Sequence, residues 1–159
     1  MEQSELLLVL GAIVIFGLIS LSVNQHILVN SDAVYGQQAE LYAVSVAQRY
    51  IEEAKMKAFD ENAINNSVGA PSSFTNPGKD GGETYPLFDD VDDFNNFSST
   101  LTELGTMNVS ITVGYVTDAN LDSIVVGTKT YYKKMTVTVQ SDYLNHAVEA
   151  NYVFAYQKN

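Results

Sequence analysis

The chain has 159 residues, room for one modest domain beside a hydrophobic segment, and sets 19 acidic against 8 basic side chains for a net charge of −11. That balance lacks the basic footprint that phosphate backbones require, which excludes direct nucleic-acid binding. The absence of cysteine excludes disulfides, thiol chemistry and haem attachment.

Residues 6–23 (LLLVLGAIVIFGLISLSV) are apolar except for Gly11, Gly17, Ser20 and Ser22. At about 1.5 Å rise per residue the run makes roughly 27 Å of helix, enough to span a bilayer core. Glu5 stands directly before it, and the first Lys or Arg in the chain is Arg49. The candidate cation for Glu5 is therefore an α-amino group, and a neighbouring copy's N-terminus brings one beside it without bending a helix back on itself. A cleaved secretory signal requires a positive leading region, whereas the first five residues hold Glu2 and Glu5 and no basic side chain. A plain membrane anchor leaves the missing flanking basic residues unexplained. A basic leader already removed explains them.

Residues 24–35 are more polar. Asn24, Asn30, Ser31 and Asp32 compete for backbone hydrogen bonds, so a long helix is expected to loosen here. His26 has no second histidine or cysteine nearby and reads as an interfacial residue rather than a ligand. Over residues 37–59 the period is helical. Leu41, Val44, Ile51 and Ala58 mark one face, expected to pack on a sheet. Ala39, Tyr42, Ala43, Val46, Ala47, Tyr50 and Ala54 mark an adjacent face, expected to meet other subunits. The alternative is one broad stripe buried under the head. Glu53 and Lys57 have the spacing of an i,i+4 ion pair.

Glu5, the apolar run behind it and the amphipathic continuation through residues 40–59 resemble the type IV pilins and pilin-like proteins (pseudopilins) of bacteria, in mature numbering. The resemblance implies that a prepilin peptidase removes a short basic leader, that the amine of Met1 is then methylated, and that Glu5 pairs with a neighbour's Met1 amine. It implies an inner-membrane pool, assembly machinery as partner, and an extracellular filament of identical subunits. The implied fold is α+β: a long N-terminal helix whose C-terminal half packs on an antiparallel sheet of three or four strands. Met1 stands where the family most often has Phe, and Ser22 where many members carry a kink-forming proline. Family members often staple a C-terminal loop with a disulfide, which this chain must hold otherwise.

Residues 60–83, rich in Asn, Ser, Gly and Pro, read as loop. In the resembling family this segment is variable and lies on the filament surface. Asn65, Asn96 and Asn108 each begin an N-glycosylation triplet. Residues 85–97 (YPLFDDVDDFNNF) gather Asp89, Asp90, Asp92 and Asp93 between aromatic and aliphatic side chains. Such closely spaced carboxylates are candidate Ca²⁺ ligands, with Asn95 or Asn96 helping, although the spacing is not that of an EF-hand. The other reading is a turn whose aspartates cap backbone N–H groups while the aromatics pin it to the core.

The remainder alternates with period two. Val109, Ile111, Val113 and Tyr115 share one face over residues 107–117. Tyr131, Met135, Val137 and Val139 do so over 129–141, interrupted by Lys133, and Val148, Ala150, Tyr152, Phe154 and Tyr156 do so over 146–157. Loops at 118–128 and 142–145 close two hairpins into a meander. The expected divisions are a membrane-spanning or filament-core helix (1–24), an amphipathic helix (25–59), a variable region with the acidic turn (60–106) and the sheet (107–159). No Gly-rich phosphate loop or Gly-x-Ser-x-Gly elbow occurs, so no catalytic residue is assigned and an enzyme is not expected. The function expected is that of a structural filament subunit; the alternatives are a pseudopilin of a type II secretion-like system and a membrane-anchored surface binding domain.

Overall fold

A computed structural model describes residues 3–64, 67–103 and 105–157. Helix α1 runs Gln3–Lys55, and four strands follow: β1 Phe97–Leu101, β2 Met107–Val116, β3 Tyr132–Ser141 and β4 Val148–Ala155. They form one antiparallel sheet in the order β1-β2-β3-β4. The molecule is thus α+β with a meander sheet. It divides into two compact units between Gln38 and Ala39.

Helix α1 is unbroken through residues 24–35, where polar side chains led us to expect loosening. Ser31 shows how such a residue is accommodated. Its hydroxyl donates to the Ile27 carbonyl at 2.9 Å, four residues back, so the side chain adds to the helical ladder instead of competing with it.

The second unit is built on period-two faces. Across β2 and β3 the register pairs Val109 with Val139, Ile111 with Val137, Val113 with Met135 and Tyr115 with Lys133. All eight side chains are buried; Val109, Ile111, Val113, Met135, Val137 and Val139 share one core with α1 and Phe154 of β4, whereas Tyr115 packs in a second cluster. The covering face of α1 is mostly the one expected to meet other subunits, joined by Ile51 from the face expected to pack on the sheet. Ala39, Ala43, Val46, Ala47, Tyr50, Ile51 and Ala54 are buried in the core, while Leu41 is 73% exposed. The expected row of Leu41, Val44, Ile51 and Ala58 is broken by Gln48 and Lys55. The row through Ala39, Ala43, Val46, Ala47, Tyr50 and Ala54 is apolar at every turn, and an unbroken stripe outweighs a few larger side chains.

Strand β1 lies where a loop was expected. FSSTL carries only two apolar residues, and as an edge strand it needs just one partner, with Phe97 opposite Ile111 and Leu101 opposite Met107. The segment before it also belongs to the core. Ala58 N–H donates to the Asp89 carbonyl at 3.0 Å, and Val91 N–H donates to the Ala58 carbonyl at 2.9 Å. This pins the acidic turn so that Phe88, Val91 and Phe94 are buried. Asn96, at φ 59°, makes the sharp exit into β1; Asn tolerates this left-handed conformation better than most residues. Lys57 lies beyond the end of α1, and its Nζ donates to the Phe88 carbonyl at 2.6 Å. Glu53 instead accepts from the Tyr85 hydroxyl at 3.1 Å, so the expected Glu53 and Lys57 pair does not form. A second cluster packs Val68, Phe74 and Tyr115 against Phe59, Tyr131 and Tyr156.

Candidate functional site

Within the first unit, the apolar side chains from Leu6 to Val23 are exposed all round the helix. By length and composition this part of α1 can cross a membrane. Glu5 lies in its first turn. Met1, the expected partner in assembly and site of methylation, lies outside the described residues, as does Asn65. His26 is exposed on α1, Asn96 is exposed before β1, and Asn108 is exposed on β2 with its Oδ1 accepting from Thr100 Oγ1 at 3.0 Å.

In the second unit, the residue that interrupts the apolar row of β3 organises the acidic turn. Lys133 points into the core, its side chain 0% exposed. Its Nζ donates to Asp60 Oδ2 at 2.9 Å, to the Phe59 carbonyl at 2.7 Å and to Asp92 Oδ1. The rings of Phe59 and Tyr115 lie 4.4 and 5.0 Å from Nζ, so cation–π attraction adds to the ion pairs. The carboxylates are saturated in turn. Asp60 Oδ2 accepts from Thr75 N–H at 3.0 Å and lies 3.1 Å from the Tyr115 hydroxyl, and Asp92 Oδ2 accepts from Thr75 Oγ1 at 2.9 Å.

One ammonium serving two carboxylates leaves a net buried charge of −1, and the two acids divide accordingly. Burial pushes Asp60 upward, but the Lys133 charge and hydrogen bond, with N–H donors from Thr75 and Asn62, hold it below the usual carboxylate range. Burial dominates at Asp92, pushing it up to about 6 against the pull of Lys133. The Tyr115 hydroxyl is raised by burial and by the charges of Asp92 and Asp60, so it serves as a donor. The arrangement positions three chain segments and holds no nucleophile beside a base.

The four aspartates of the turn do not act together. Asp92 faces Lys133. Asp90 Oδ1 accepts from the N–H groups of Asp92 and Asp93 at 2.7 and 3.1 Å, and Asp93 Oδ2 accepts from Asp89 N–H at 3.1 Å. This is the capping geometry of an acidic turn. Asp89, Asp90 and Asp93 also lie beside carboxylates that the sequence did not connect to them. Glu61, Asp80 and Asp90 bring one oxygen each within 4.8 Å of one another, and Glu83, Asp89 and Asp93 do the same. The visible hint was only that Glu61, Asp80 and Glu83 sit in the polar loop. Asp90 is pushed up to about 8 by burial and by the charges of Asp92 and Asp93. Glu83 is pushed up to about 7 by a hydrogen bond with the Asp93 carboxyl, then by burial and neighbouring acids.

Comparison with models of known families, with curated proteins and with solved structures gives no match to this chain.

Proposed function

We propose that this chain is the structural subunit of a type IV pilus-like extracellular filament, assembled through the apolar part of α1. The observation that carries the reading is the exposed apolar surface of residues 6–23, joined in one helix to a stripe that completes the core of the second unit. A helix apolar all round requires a lipid or protein environment, and the second unit already has a core of its own. The inner membrane supplies that environment before assembly, and copies of the same helix supply it afterwards. Glu5, at the start of the run, pairs with the N-terminal amine of a neighbouring subunit and fixes the axial stagger between them. A prepilin peptidase and a membrane assembly machine are the partners this role requires.

The test is electron microscopy of material sheared from cells that express the chain, with the subunit identified by antibody. Long labelled filaments support the proposal. Protein confined to the membrane fraction, with no labelled filaments, points instead to a pseudopilin acting in the periplasm or to an anchored surface domain.

A further inference from the structure

We propose that Glu61, Asp80 and Asp90 form a Ca²⁺ site that clamps the loop after α1 to the acidic turn. The ligands come from three separated stretches of chain, and their carboxylate oxygens lie within 4.8 Å of one another. Asp90 is the decisive residue. It is 1% exposed, and its Oδ1 is committed to the Asp92 and Asp93 N–H groups. Its Oδ2 is buried and has no hydrogen-bond partner among the described residues, and the same holds for Oδ2 of Asp80. A buried carboxylate oxygen with no donor costs free energy that a turn gains nothing by incurring. Here the two residues that carry such oxygens belong to one cluster.

The surroundings sharpen the argument. Charges of Asp89, Asp80, Asp93 and Asp60 all raise Glu61, after burial. Lys133, the nearest buried cation, is engaged by Asp60 and Asp92. Hard oxygen donors of high negative charge suit Ca²⁺, which takes about six to eight oxygens at flexible geometry, with water completing the shell. The Asp90 carboxylate is already oriented by its two backbone bonds, so binding orders little further. This ligand set shares only Asp90 with the run of aspartates that suggested Ca²⁺ in the sequence, and it stands independently of filament assembly.

The experiment uses the full chain purified in detergent, stripped with chelator and titrated with CaCl₂ by calorimetry, with thermal melting recorded in parallel. Saturable binding is expected, with a Kd of about 10⁻⁴ to 10⁻³ M as for extracellular modules, and a melting temperature that rises with Ca²⁺. Glu61→Gln, at an exposed position, weakens binding by about tenfold or more. Asp90→Asn abolishes binding and, by placing a neutral amide among the carboxyl groups, leaves the metal-free melting temperature unchanged or higher. Should Asp90→Asn fail to fold, Glu61→Gln and Asp80→Asn decide. The proposal is overturned by the lack of saturable binding and of any melting shift up to about 10 mM Ca²⁺, or by wild-type affinity in Glu61→Gln.

Discussion

Lys133 Nζ stands 2.9 Å from Asp60 Oδ2 with both side chains shut off from solvent, although 73 residues separate them in the chain. A buried ion pair often adds little relative to a hydrophobic replacement of all partners, but removing one member strands the other. Lys133→Met therefore leaves Asp60 and Asp92 without their cation, and it is expected to lower the free energy of unfolding by about 3–5 kcal/mol. Urea denaturation of the full chain in detergent measures this. A loss below about 1 kcal/mol, the scale of exposed pairs, refutes it.

Stability should also depend on pH. Asp90 is raised to about 8 and Asp92 to about 6, whereas in the unfolded chain both titrate near 3.9. Between about pH 4 and 8 the folded state binds more protons than the unfolded state, so these groups make stability fall as pH rises. Asp60, whose folded value is depressed, contributes stability above its unfolded value and loses it as pH falls through the folded one, which lies at more acid pH. In chelator, the urea midpoint should decline from about pH 5 to pH 8, and Asp90→Asn should flatten the decline. A wild-type midpoint that climbs over this range contradicts the assignment.

The two faces of α1 can be told apart by volume. Ala43 is 0% exposed in the core, so Ala43→Leu overpacks it and should cost about 1–3 kcal/mol. Leu41→Ser, on the face that the sequence suggested for the sheet, should change stability of the second unit by no more than about 0.5 kcal/mol. Denaturation midpoints of the two variants give the comparison.

A chain beginning at Gln25 should fold and remain monomeric. The core draws on residues from Ala39 onward, and residues 6–23 contribute none of it. Circular dichroism and sedimentation report folding and mass; filaments formed by this truncated chain would remove the N-terminal helix from its proposed role.

Glu5→Ala should leave the protein inserted in the membrane yet sharply reduce filaments. An anchor gains from losing a carboxylate beside its apolar run. In a water-poor filament core, the neighbour's amine would instead lose its counter-charge, at about 3–5 kcal/mol per contact. The ratio of sheared filament to membrane-bound protein, at matched expression, checks this; an equal ratio for wild type and variant sinks the assembly mechanism.

Periodicity made α1 and β2 to β4 legible, because each carries its apolar residues at one repeat for ten or so positions. Edge strand β1 was hidden by Ser98, Ser99 and Thr100. The choice of helix face depended on a contrast periodicity does not weigh: large side chains in a broken row against alanines in a complete one. Lys133 looked like an interruption of β3 because a charge in an apolar row is read as facing water unless its partners are known. Those partners lie 73 and 41 residues away. The carboxylate clusters were obscured for the same reason, since adjacency along the chain grouped Asp92 with Asp90 whereas the fold turns one toward Lys133 and the other toward Glu61 and Asp80.

The separation between Lys133 and its carboxylates also orders events in time. The meander pairs each strand with its sequence neighbour, so its pairings are more local than the contacts of Lys133 with Asp60 and Asp92, 73 and 41 residues away, and local pairings tend to form earlier. Burying Lys133 requires the turn after α1, the acidic turn and β3 to arrive together, and until they do its ammonium stays hydrated. The ionic cluster is therefore expected to lock after the folding barrier. Weakening it should accelerate unfolding far more than it slows refolding, making Lys133 a determinant of how long the folded subunit persists.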